Sequence, residues 1–237
     1  MIIAQTVIPD FGGGPNSCVR ENRGFCWSWV QDNWNSVLWP AVRQHIELTA
    51  IAVVIGFVIA FGLALLAHRR RGFETPITVS TGVLYTIPSL ALFQILVGFS
   101  FLGLNRLTVE IALVSYTLLI LFRNTLEGLR GVPAEVREAA LGMGLTPRQV
   151  LTRVELPLAL PAIFGGLRVA VVSTVAIATI AALVGDRGLG YPIFLAMGLP
   201  TPFKTEIYST GVLVVALALS LDLVLVAARR MLVRWAR

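Results

Sequence analysis

The sequence predicts an all-α membrane protein of about five transmembrane helices, N-terminus outside and C-terminus inside, with one long cytoplasmic loop. Composition is the first reason: of 237 residues, 56% are hydrophobic and 14% charged, and the mean hydropathy is +0.80. Soluble chains carry about a quarter charged residues. The second reason is length, because several uncharged runs approach or exceed the roughly 20 residues that cross a bilayer. The third is where the cations sit. The net charge of +6 forms no patch of the kind that binds nucleic acid, so membrane lipid is the predicted partner and nucleic acid is not. The basic residues flank the apolar runs instead. One set of segments holds Arg69, Arg70, Arg71, Arg123, Arg130, Arg137, Arg148, Arg153, Arg168, Arg229, Arg230, Arg234 and Arg237; the other holds Arg20, Arg23, Arg43, Arg106, Arg187 and Lys204. Cytoplasmic segments carry the excess of Lys and Arg, which places the first set inside.

Residues 1–45 form an extracytoplasmic N-terminal segment. It is not read as a secretory signal, since a basic start is missing and the apolar run Met1–Ala4 is too short. Gly12-Gly13-Gly14-Pro15 marks a loop. Trp27, Trp29, Trp34 and Trp39 precede the first apolar run, as aromatics do at a membrane interface. Cys18 and Cys26 fall on the oxidising side, where either a small disulfide or two unpaired thiols fits.

The apolar body covers residues 46–228. Its predicted spans are Leu48–Ala67, Thr75–Asn105, about Thr108–Leu126, about Pro161–Val184, and Ile207–Ala228. Gly56, Ala60 and Ala64 recur every fourth residue in the first span; Gly166, Ala170, Thr174, Ala178 and Ala182 do so in the fourth. Small residues at this spacing let helices approach closely in lipid, where packing drives association. Within the second span, Pro88 removes one helical hydrogen bond and frees the carbonyl of Leu84. Freed backbone at membrane depth is tolerated only when buried or facing a water-filled cavity. Thr86, Pro88, Ser89, Ser173, Thr174 and Thr179 are the candidates to line such a path, though each hydroxyl can equally bond its own helix. The segment Gly185–Pro202 reads either as a gate turning into the membrane or as a plain loop. Asp222 is an acid inside the fifth span, and an intramembrane charge is a functional candidate by default. Its expected role is a structural ion pair with Arg229 or with Arg123. Residues 229–237 form a basic cytoplasmic tail.

Enzyme motifs are absent from the sequence. His45 and His68 lie at opposite ends of the first span and cannot share a metal, so no catalytic residue and no metal site is expected. The nearest approach to a phosphate loop, Gly198 to Thr205, fails at Phe203, where glycine must let the backbone close on phosphate. Any nucleotide site belongs to another chain.

The loop of about residues 129–157 is charged and well capped between two apolar segments. Pro133 opens a short helix, which Gly142 and Gly144 can end with a left-handed cap. Thr146, Pro147 and Gln149 then give an N-cap, a first helical position and a capping box. The second helix is expected to reach about Glu155 and stop before Pro157. Read locally, this is either an amphipathic loop on the headgroups or a docking element.

The spacing Glu138-Ala139-Ala140, Gly144, Val154-x-Leu156-Pro157 resembles the signature loop of permease subunits of ABC importers. The resemblance extends over most of the chain. Thr86-Ile87-Pro88-Ser89, Arg123-Asn124-Thr125 with Gly128, and Gly188-Leu189-Gly190 are similar to the osmoprotectant branch, which takes glycine betaine, choline, carnitine or proline betaine. Ile120 stands where that branch often has proline, and Asp186-Arg187 where it usually has small residues. The resemblance implies a multi-pass protein of the bacterial plasma membrane, with the loop helix docking in a groove of a cytoplasmic ATPase. Glu138 would meet the ATPase, Ala139 and Ala140 would allow close docking, and Gly144 would give the bend. It further implies two ATPase copies carrying ATP and Mg, a second permease that is identical or a sister chain, and an extracytoplasmic binding protein. No cofactor is expected on this chain. The alternatives are the same machine for amino acids, sulfonates or nitrate, and, outside that class, a channel or membrane receptor, which leaves the spacing of the loop unexplained.

Overall fold

The computed structural model describes residues 17–233. Met1–Ala4, the Gly12–Pro15 run, Arg234 and Arg237 lie outside the described residues. In chain order the helices are α1 (Ser17–Arg20), α2 (Trp27–Asp32), a π-turn at Trp34–Leu38, α3 (Trp39–Arg69), α4 (Glu74–Thr86), α5 (Ser89–Val97) and α6 (Arg106–Arg130). After α7 (Ala134–Gly142) and α8 (Pro147–Val150) come a second π-turn at Leu151–Glu155, α9 (Leu156–Gly185), α10 (Gly190–Met197) and α11 (Lys204–Leu232).

Four helical runs are long and apolar enough to cross a membrane: Trp34–Arg69, Arg106–Arg130, Pro147–Gly185 and Lys204–Leu232. The bent pair Arg71–Thr86 and Ser89–Val97, which turn 93° from one another, is apolar enough when taken together to be either a broken span, which would make five, or a re-entrant loop. The long second apolar run is therefore two helices and not a tilted one. The break falls at Ile87 (ψ 126°) and Pro88 (ψ 135°), because the proline ring pushes the residue before it out of the α region. Tyr116 donates its hydroxyl to the carbonyl of Ile87, satisfying backbone that the break leaves open.

The central helix is α6, which packs along both α3 and α9. Glycines make these approaches possible. A Cβ on Gly56 would fall 1.8 Å from Thr117 Oγ1, and one on Gly166 would fall 2.4 Å from Asn124 Cβ. Both small-residue ridges are buried along their length. By contrast α11 and the α4–α5 pair expose Val79, Val83, Leu90, Val212, Val215 and Leu219, the apolar faces expected toward lipid or another membrane chain.

The fourth crossing differs from expectation. It starts at Pro147 rather than near Pro161, and Pro157 does not stop it. The Leu156 N–H reaches the carbonyl of Leu151, an i→i−5 bond, so the turn just before Pro157 is widened. That widening absorbs the hydrogen bond the proline cannot make, and the helix continues.

The N-terminal segment is more than an interfacial anchor. Trp27, Trp34 and Trp39 are exposed, but Trp29 is buried with Val19, Cys26, Val30 and Leu38 against Ala196 and Phe203. Its ring meets Phe203 edge-on at 5.4 Å. Asn22 clamps the turn before α11 by donating to Pro202 O at 2.9 Å and accepting from Lys204 N at 2.9 Å. Cys18 and Cys26 are bonded as a disulfide, with Cα atoms 5.8 Å apart. Beyond α9, the chain turns back on itself: the Cβ position of Gly190 lies 1.9 Å from Thr179 O. Six residues of helix rise, about 9 Å, separate Thr179 from the end of α9, so the Gly185–Gly190 corner dips back toward the bundle.

Candidate functional site

The loop between α6 and α9 is built from local rules that can be followed bond by bond. Pro133 sits just before α7, and α7 ends at Gly142. The left-handed residue is Gly144 (φ +86°) and not Gly142. Leu145 N donates to Ala140 O at 3.2 Å and Gly144 N to Leu141 O at 2.9 Å, the paired bonds of a Schellman motif. Thr146 then caps α8 in a reciprocal box: Gln149 N donates to Thr146 Oγ1 at 3.4 Å, and Thr146 N to Gln149 Oε1 at 2.8 Å.

The two faces of α7 have different tasks. Glu138 and Ala139 are exposed, and Leu141 and Met143 join them at 48% and 74% exposure. Ala140 is buried, so of the two alanines expected at a docking face only Ala139 is exposed; Ala140 packs inward against the chain itself. The helical period explains this, because Arg137 and Ala140 are three apart and share the inner face. Val154, Leu156 and Pro157 are half-buried at the root of the long fourth crossing, where they anchor the loop.

What fastens that root is Glu155, which sequence reasoning passed over. Its side chain is buried; Oε2 lies 3.1 Å from His68 Nε2 on α3, and Oε1 lies 2.9 Å from Arg137 Nε on α7. The Arg137 contact is an ion pair whose N–H is not aligned along it. Another Arg137 nitrogen donates to Leu129 O at 3.1 Å, and Arg130 pairs with Glu74 at 2.6 Å. One carboxylate thus joins the end of the first crossing, the loop helix and the start of the fourth. The signal available in the sequence was an acid immediately before Leu156-Pro157 and a lone arginine, Arg137, in α7, but only the fold brings His68 beside them. His68, Arg69, Arg137, Arg148 and Glu155 also line a cavity of about 450 Å³ next to α7.

The path candidates separate into two groups. Thr86, Pro88 and Ser89 stand together at the break, with Tyr85 edge-on to Tyr116 at 6.1 Å beside them. Thr86 Oγ1 donates to Val83 O at 2.8 Å. On α9, Thr174 is buried within the small-residue ridge and donates to Ala170 O at 2.7 Å, so it serves packing. Thr179 donates to Val175 O at 3.2 Å, and Ser173 is half-buried. Helix α5 packs on α9, which brings the two groups onto neighbouring elements.

Asp222 has a different partner from those expected. Arg168 grips it with two parallel bonds, Nε to Oδ1 at 2.6 Å and a second nitrogen to Oδ2 at 2.8 Å. Arg229 lies two turns away on the same helix, whereas packing of α9 on α11 sets Arg168 opposite. Arg123 is exposed on α6, lining a shallow cleft with Glu74 and Glu127. The pair is structural: a bidentate guanidinium–carboxylate contact fixing α9 to α11.

Residues 48–237 match the family described as binding-protein-dependent transport system inner membrane component. The chain is similar to the choline transport system permease protein OpuBB of Bacillus subtilis (strain 168), with 34% identity over 203 residues, 86% of this chain and 91% of that one. It is also 37% identical, over 182 residues, to the osmoprotectant import permease protein OsmW of Salmonella typhimurium, covering 76% of this chain and 84% of the relative. Among solved structures, an inward-facing form of the MetNI methionine ABC transporter superposes with a TM-score of 0.74 at 22% identity, covering 85% of this chain and 98% of that chain. That likeness establishes the fold. Its bundle of spans, its capped loop and these relatives together make this chain a multi-pass membrane permease of the binding-protein-dependent transport system inner membrane component family.

Proposed function

We propose that this chain is the translocating subunit of an ATP-driven importer of quaternary-ammonium osmoprotectants such as glycine betaine, choline, carnitine or proline betaine. The observation that carries the reading is the exposed face of α7: Glu138, Ala139, Leu141 and Met143 stand clear of the chain's own packing, on a helix whose other face is bolted to two crossings through Glu155. Apolar side chains exposed beside an acid on a rigidly held helix suit a protein groove. Its occupant is a separate cytoplasmic ATPase, which holds ATP and Mg. Two ATPase copies serve two permeases, this chain with itself or with a sister, and the exposed apolar faces of α4, α5 and α11 suit the second permease and lipid. The N-terminus lies outside and the C-terminus inside. On the outside, the disulfide-closed N-terminal cap meets an extracytoplasmic binding protein that selects the substrate. The quaternary ammonium group passes near the Pro88 break, where Thr86, Ser89 and the Tyr85 ring offer a polar and π-faced wall.

The test is co-purification from native membranes with identification of partners by mass spectrometry. An ATPase is expected, and it should be lost when Glu138→Arg reverses the charge on the exposed face. An unrelated partner that is indifferent to Glu138→Arg would overturn the reading.

A further inference from the structure

At the end of the bundle opposite α7, two neighbouring residues of α3 hold the backbone of the corner between α9 and α10. Gly188 N donates to Gln44 Oε1 at 3.1 Å, and Leu189 N donates to His45 Nδ1 at 3.1 Å. A backbone N–H can only donate, so Nδ1 must be the acceptor and the ring proton resides on Nε2. Nε2 in turn donates to Val175 O at 3.0 Å. His45 is fully buried with both nitrogens used, and it therefore links the first crossing, the fourth crossing and the corner.

The corner is shaped to receive this grip. Gly188 adopts φ +74°, and a Cβ there would lie 3.0 Å from His45 Nδ1. Asp186 is also left-handed, at φ +43°, an uncommon conformation for a residue with a side chain. Both Asp186 and Arg187 point to the surface, while Gly188, Leu189 and Gly190 are buried. Immediately after the corner, α10 packs on both α9 and α11. Separation of α3 from α9 at this end cannot occur without breaking the bonds that Gln44 and His45 make.

We propose that Gln44 and His45 are positioning residues of the external gate: they latch the Gly188–Leu189 corner against α3 in the closed state, and their release lets the corner and α10 move aside for substrate. This rests on the permease reading, which supplies the outward-opening step. The bonds are neutral and few, which suits a latch that a docking protein and an ATPase cycle must undo on every turnover.

The test uses the transporter reconstituted in liposomes with its ATPase and binding protein, glycine betaine as the probe substrate, and three variants. His45→Leu keeps the side-chain volume and removes both hydrogen bonds, so packing alone would survive it. His45→Gln keeps one donor and one acceptor. Gln44→Ala removes the Gly188 bond from a half-buried position and serves if His45→Leu fails to assemble. Hydrogen exchange over residues 186–190 is expected to quicken roughly tenfold in His45→Leu, and by less in His45→Gln and Gln44→Ala. ATP hydrolysis without binding protein should rise toward the stimulated rate in the same order. Unchanged exchange and an unchanged dependence on binding protein, in any assembled His45→Leu or Gln44→Ala transporter, would overturn the latch. Uptake that needs no ATP in the unsubstituted protein would instead sink the permease reading, and the exchange data would still report on the corner.

Discussion

Gly144 shows how much one residue's backbone can carry. Its φ of +86° places it where a side chain is disfavoured, yet the space around it is open. Gly144→Val therefore introduces backbone strain without a clash, at about 1–2 kcal/mol or somewhat more for a β-branched side chain. The strain falls on the bend between α7 and α8, so uptake per ATP hydrolysed is expected to drop while circular dichroism of the spans stays unchanged. Unaltered coupling in that variant would remove Gly144 from the coupling route. Asp222 is the opposite case, a residue whose importance is in a partner. Asp222→Asn leaves the Arg168 guanidinium without its bidentate acceptor and should lower the yield of folded protein while leaving substrate preference alone. A shifted preference with normal yield would place Asp222 on the path instead.

At the scale of elements, the bundle depends on close helix approach and on one buried charge cluster. Gly56→Ala puts a methyl 1.8 Å from Thr117 Oγ1, and α3 and α6 must move apart to admit it. Overpacking of this kind costs about 1–3 kcal/mol, measurable as a lower unfolding temperature in detergent. Glu155→Ala leaves Arg137 without its carboxylate and His68 without its acceptor. Breaking a buried pair from one side costs about 3–5 kcal/mol. The milder Glu155→Gln keeps an acceptor for His68 but loses the charge, and it should loosen α7 selectively, seen as faster hydrogen exchange over residues 134–142. Much of this level was legible beforehand. The two small-residue ridges announced close packing because spacing alone puts them on one face, and the caps at Gly144 and Thr146 followed from local backbone chemistry. The course of the fourth crossing was not legible, because whether Pro157 ends a helix depends on a π-turn that local sequence rules do not anticipate.

Across the whole molecule, the N-terminal cap and the loop lie at opposite ends of the bundle, and the proposed orientation, argued from the distribution of arginines, puts the cap outside. A membrane-impermeant thiol reagent applied to intact cells should label neither Cys18 nor Cys26 until a reductant is added, and both afterwards. Labelling without reductant would mean the bridge is absent; no labelling in cells after reduction, with labelling in lysed cells, would invert the topology.

Composition and run length were enough to give an all-helical membrane protein of about five apolar spans, because hydrophobic length acts one segment at a time. The capped loop between the third and fourth runs was equally visible, since caps and glycine bends are fixed by neighbours in the chain. Pairing was another matter. Arg168 rather than Arg123 or Arg229 holds Asp222, Trp29 is core rather than anchor, Ala140 faces inward, and His45 closes on a corner 144 residues away. Each of these depends on which helices lie side by side, and the sequence specifies that only through the summed packing of the bundle.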